Sequence, residues 1–85
     1  MEIITSPTFN KQYKKLPEKI QEQFDQRILL WLREPRHYLL RVHRLKGSLG
    51  GYWSFNVNSD VRVIYYYEDD EVVVLALIGT HSQLY

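Results

Sequence analysis

Residues 52–78 read YWSFNVNSDVRVIYYYEDDEVVVLALI, and this stretch decides the fold. Trp53, Phe55 and Val57 alternate with Tyr52, Ser54 and Asn56, the period of a strand that buries one side and turns the other to water. Asn58-Ser59-Asp60 carries the side chains that fold back on their own backbone in turns. Val61 to Tyr67 and Val72 to Ile78 are two further β-rich runs. They are separated by Glu68-Asp69-Asp70-Glu71, whose charges suit an exposed hairpin tip. The stretch therefore predicts three successive strands of an antiparallel meander.

Working back from it, residues 46–51 (KGSLGG) form a turn, and Leu40 and Val42 alternate with Arg41 and His43, which predicts one more strand. Further upstream the period changes from two to that of a helix. Ile20, Phe24, Ile28, Trp31 and Leu32 form one apolar stripe, ended by Glu34-Pro35. Phe9, Tyr13 and Leu16 form a shorter stripe that opens at Ser6-Pro7, with Ser as a cap and Pro in the first turn, and stops at Pro17. Glu2 to Thr5 reads as a short strand. The order is β-α-α-β-β-β-β, an α+β arrangement in which a helical hairpin covers a mostly antiparallel sheet.

With 85 residues there is room for one core, so residues 1–85 are read as a single domain. Hydrophobic residues at 45% make disorder improbable on energetic grounds. No cysteine is present, which rules out disulfides and thiolate zinc sites and fits a reducing cytoplasm. No run approaches the roughly 20 apolar residues of a membrane helix, so no membrane association is expected and a soluble cytoplasmic protein is the simplest reading.

The net charge of +1 conceals an asymmetry, because residues 1–47 hold ten of the eleven Lys and Arg against five acids. Arg33, Arg36, Arg41, Arg44 and Lys46 crowd one stretch with only Glu34 among them. Such a density suits a polyanion or an ordinary solvated rim, and charge alone does not choose. The side chains able to move protons near neutral pH are His37, His43 and His81.

Four pieces of sequence carry a resemblance: His43-Arg44-Leu45-Lys46-Gly47, Gly51-Tyr52, Asp60-Val61-Arg62-Val63-Ile64-Tyr65 and Gly79-Thr80-His81-Ser82-Gln83-Leu84-Tyr85. In this order, and over essentially the whole chain, they resemble the YafQ-like branch of the RelE/ParE toxin superfamily. Each is weak alone; their order within a β-α-α-sheet chain is specific. The resemblance implies a RelE-like fold with a curved sheet whose concave side receives RNA. It implies a type II toxin-antitoxin toxin that cuts messenger RNA on the ribosome, without metal or other cofactor, until a cognate antitoxin silences it. The implied partners are that antitoxin, mRNA and ribosomal RNA.

Metal-free RNA cleavage needs a base for the attacking 2′-hydroxyl, an acid for the leaving 5′-oxygen and positive charge for the transition state. The resemblance makes His81 the general acid, with Tyr85 beside it to stack on a base or contact the reacting groups. It leaves the base open between His43 and Asp60. Arg62 falls where RelE relatives carry an arginine able to hold a phosphate through two hydrogen bonds, although YafQ-like chains often have an apolar residue there. Lys46, Arg44 and Arg41 are candidate contacts to RNA phosphates. Asn56 stands where the YafQ-like pattern has a further histidine; it can contact RNA but cannot shuttle a proton. A ParE-like inhibitor of DNA gyrase, or a catalytically silent binding module, would use the same scaffold.

Overall fold

The computed structural model describes residues 1–85. The chain runs β1 (Glu2–Thr5), α1 (Pro7–Lys14), α2 (Glu18–Arg33), a 3-10 turn (Tyr38–Leu40), β2 (His43–Arg44), a second 3-10 turn (Gly47–Leu49), β3 (Trp53–Asn56), β4 (Val61–Tyr67), β5 (Val72–Thr80) and α3 (His81–Leu84). Five strands form one sheet in the order β1-β5-β4-β3-β2. β1 runs parallel to β5, and the remaining pairs are antiparallel. The α+β class and the succession β-α-α-β-β-β-β expected from the sequence are found, with one further short helix after the last strand.

Ser6 opens α1 as its N-cap, accepting from the Phe9 N–H at 2.9 Å. The same hydroxyl donates to the Ala76 carbonyl at 2.7 Å. Ala76 is the extra residue of a bulge, since Ile64 pairs with Leu77 but Tyr65 pairs with Leu75. The bulge lets Leu75 and Ile78, an odd number of residues apart, both face the helices, where each is almost fully buried. Ser6 thus satisfies a helix start and an irregular strand with one oxygen.

The core lies between the helices and the face of the sheet that carries Phe55, Val57, Val63, Tyr65, Val73 and Leu75. Trp31 is its largest member, at 1% exposure. Its indole N–H donates to the Tyr65 hydroxyl at 3.2 Å, and the two rings meet edge to face with centroids 5.4 Å apart. Burial pushes the Tyr65 phenol up to about 12.

Three expectations are corrected. The strand expected through Leu40 to His43 is a 3-10 turn followed by Arg41 in the left-handed region, and only His43 and Arg44 pair with β3. The cause is local: the His37 ring caps the turn by accepting from the Leu39 N–H at 3.1 Å, and Leu40 is drawn to full burial as the turn's anchor. Leu32, assigned to the buried stripe of α2, is 46% exposed, because Phe24, Ile28 and Trp31 already fill the inward arc. Lastly, the chain does not finish as a strand: β5 reaches Thr80, and His81–Leu84 turn into a helix.

Candidate functional site

Paired residues of an antiparallel ladder share a face, so the register maps the side of the sheet turned away from the core. One rung on that side is His43, Ser54, Ile64 and Leu77. The next is Asn56, Arg62 and Gly79. Candidate residues from β2, β3 and β4 therefore stand in neighbouring positions on one face, with Asn56 diagonal to His43 and directly beside Arg62. The expectation that Asn56 and Ser54 share this side is correct. Neither is wet, however: Ser54 is fully buried and Asn56 is 9% exposed.

The end of this face is roofed by α3. Thr80 and Gln83 form a capping box: the Gln83 N–H donates to the Thr80 hydroxyl at 3.2 Å, and the Thr80 N–H donates to Gln83 Oε1 at 2.9 Å. A Cβ on Gly79 would lie 2.9 Å from that same Oε1 and 3.4 Å from Leu84, so glycine lets the helix fold back over the strand that precedes it. The sequence signal for the helix was present as T-x-x-Q at Thr80 to Gln83 but was overridden by the β-rich run before it.

Folding back sets His81 against the turn between β3 and β4. Its backbone N–H donates to the Asp60 carbonyl at 3.0 Å, and Asn58 holds the turn by accepting from the N–H groups of Asp60 and Val61 at 2.9 and 2.7 Å. Arg62 is half-buried and closes the same turn, donating to the Ser59 carbonyl at 3.2 Å. The exposed rings of His81 and Tyr85 lie on one side of α3 with centroids 4.7 Å apart, as positions four apart in a helix do. Tyr85 and Leu84 also line an open cleft of about 460 Å³ with Leu45, Lys46, Ser48 and Leu49. Asp60, Arg62, His81, Tyr85 and Lys46 are thus gathered at one end of the molecule.

His43 lies exposed on the edge strand, with Nδ1 3.0 Å from the Arg41 carbonyl. The basic stretch is divided. Arg44 pairs with Trp53 on the helix-bearing face, and its guanidinium lies 5.5 Å from the Trp53 ring centre, as does that of Arg36. Arg44 therefore points away from His43, whereas Lys46 reaches the cleft beside Tyr85. No group of three or more His, Asp and Glu side chains converges as a metal site would require, and no helix is long and apolar enough to cross a membrane.

The family model described as a bacterial toxin of type II toxin-antitoxin systems, YafQ, matches residues 1–85. Among solved structures, YafQ from E. coli strain BL21(DE3) is similar with a TM-score of 0.83 at 23% identity, covering 99% of this chain and 97% of that one. YafQ in the E. coli DinJ–YafQ toxin-antitoxin complex gives 0.77 at 22% identity over 99% and 96%. The RelBE2 toxin-antitoxin complex of Mycobacterium tuberculosis gives 0.75 at 23% identity over 94% and 96%. No curated protein sequence matches significantly.

Proposed function

The chain belongs to the YafQ family of bacterial type II toxin-antitoxin toxins, and from that premise we propose that it is an endoribonuclease that cuts messenger RNA on the ribosome by acid–base catalysis without a metal. The observation that carries the reading is the His81–Tyr85 pair, exposed on a capped helix that is bonded to the turn bearing Asp60 and Arg62. In the reaction the RNA 2′-oxygen attacks the adjacent phosphorus, and the bond from phosphorus to the 5′-oxygen breaks. The 2′-hydroxyl proton passes to His43, with Asp60 as the alternative acceptor, and His81 gives a proton to the leaving 5′-oxygen. Tyr85 offers a face for a base.

Arg62 and Lys46 supply positive charge for the phosphate, and exposed Arg41, just before the edge strand β2, can add to it. Asn56 is a hydrogen-bonding group on the floor between His43 and Arg62. The partner is a cognate antitoxin; the DinJ–YafQ and RelBE2 relatives were solved as toxin-antitoxin complexes, which supports this. A reaction on the ribosome would require a cytoplasmic protein.

Expression without antitoxin, with the 5′ ends of cellular RNA mapped and gyrase supercoiling measured, tests the reading. Codon-phased cuts that disappear in His81→Ala are expected, with a rate loss of about 10²- to 10⁴-fold on isolated ribosomes. Intact RNA together with inhibited supercoiling would reject the nuclease in favour of a ParE-like action.

A further inference from the structure

Arg41 is the one non-glycine residue with positive φ, at φ 48° and ψ 48°. A side chain with a Cβ rarely adopts this conformation unless its surroundings impose it. Here the preceding 3-10 turn is closed by the Arg41 N–H on the Tyr38 carbonyl at 3.2 Å and pinned by fully buried Leu40. The conformation turns the Arg41 carbonyl toward the ring of His43, 3.0 Å from Nδ1. Such strain at a functional edge asks for a reason.

A carbonyl oxygen can only accept, so the proton of this bond must sit on Nδ1. A neutral imidazole has one N–H, which leaves the lone pair on Nε2. In water the other tautomer, protonated at Nε2, predominates, so the contact reverses the ordinary preference of His43. His37, on the other side of the same turn, is held the opposite way: its Nδ1 accepts from the Leu39 N–H at 3.1 Å, and its ring stacks on Tyr38 with centroids 4.7 Å apart. One histidine caps the turn with its lone pair; the other is given a lone pair facing outward.

We infer that Arg41, through its backbone carbonyl and left-handed conformation, is a positioning residue that fixes His43 as the proton acceptor with Nε2 as the accepting atom. This rests on the nuclease reading above and takes His43 over Asp60 at its open point, since a hydrogen bond orients the His43 ring while none holds the Asp60 carboxylate. The side chain of Arg41 is not needed for this role; its main-chain geometry is.

Nitrogen-15 NMR of the labelled chain, at a pH where the imidazoles are neutral, reads the tautomers directly. His43 is expected to carry its proton on Nδ1 and His37 on Nε2. Arg41→Gly, Arg41→Asn and Arg41→Val all remove the guanidinium and with it any RNA-phosphate contact, so they are compared with one another; Gly and Asn, which accept the left-handed region, are expected to keep the His43 tautomer. Arg41→Val, whose branched Cβ resists it, is expected to lose the tautomer and to fall about tenfold or more in kcat below the Gly and Asn variants, with a KM like theirs. A wild-type His43 protonated on Nε2 would overturn the inference, and so would Gly and Asn variants as slow as Val. Should Arg41→Val not fold, the wild-type spectrum and the Gly–Asn pair still decide. A wild-type protein that cuts no RNA rejects the nuclease, whereas an active one with the wrong His43 tautomer rejects this inference alone.

Discussion

His43 and Arg44 are adjacent in sequence yet belong to different chemistries. Arg44 lies with Arg36 over Trp53 on the face that packs against the helices, where Trp31, Phe55 and Tyr65 interlock ring against ring. His43 lies on the opposite face, above fully buried Ser54, whose hydroxyl has no hydrogen-bond partner. An unpaired buried hydroxyl costs stability, on the order of 1–3 kcal/mol where desolvation is complete. The aromatic face satisfies its one buried phenol through the Trp31 indole. The two faces differ in completeness: the aromatic face satisfies its buried polar group within the chain, and the other leaves the Ser54 hydroxyl without a partner.

The largest effect that would test this difference is on the aromatic side. Trp31→Ala should destabilise by about 3–5 kcal/mol, since a ring at 1% exposure leaves a cavity and strands the Tyr65 hydroxyl. Urea denaturation measures this, and cleavage per folded molecule should stay near wild type. A change in that specific rate as large as the change caused by His81→Ala would mean that the faces are not separable.

Trp53→Ala should come next, at about 2 kcal/mol. The sequence alternation put this residue on the buried side of its strand; it is half-buried, with two guanidiniums supplying part of its cover. A loss equal to that of Trp31→Ala would show that the arginine contacts matter more than their exposure suggests.

Alkaline pH gives a third handle on the aromatic face. The Tyr65 phenol is held neutral by burial, its value raised from 10.0 to about 12. Because the folded state binds this proton more tightly than the unfolded chain, the associated stability is fully present below pH 10 and is lost as pH rises toward 12. Tyr65→Phe should flatten that decline in thermal melts between those limits.

The smallest effect is expected on the other face. Ser54→Ala removes an unpartnered hydroxyl and should be neutral or stabilising, by at most about 1 kcal/mol. A fall in cleavage together with a rise in stability would mark the hydroxyl as functional and not structural. A clear loss of stability would show that the hydroxyl is satisfied in solution.

Much of the fold was legible because its signals are local. The alternation of Trp53, Phe55 and Val57 marked the inward face of β3, and the acidic tip at residues 68–71 marked the hairpin. The helical stripe of Phe24, Ile28 and Trp31 identified the surface that covers it. The segment from Leu40 to His43 misled because alternation over four residues cannot distinguish a strand from a turn with one anchored leucine. The helix at His81 was missed because its capping box is four residues long and follows nine residues of strand.

By itself the sequence determined the succession of elements from the first strand to the last, the absence of disulfides, most of the core and, through four ordered motifs, the family. Each of these depends on residue type and on spacing along the chain. Only the tertiary structure decided which candidates meet. The Gly79 fold-back brings His81 to the Asp60 turn across the ladder, the register sends His43 and Arg44 to opposite faces, and the twist at Arg41 aims a carbonyl at one imidazole nitrogen. Those outcomes arise from pairing between distant segments and from backbone dihedrals held by packing, and neither quantity is written in the local order of the residues.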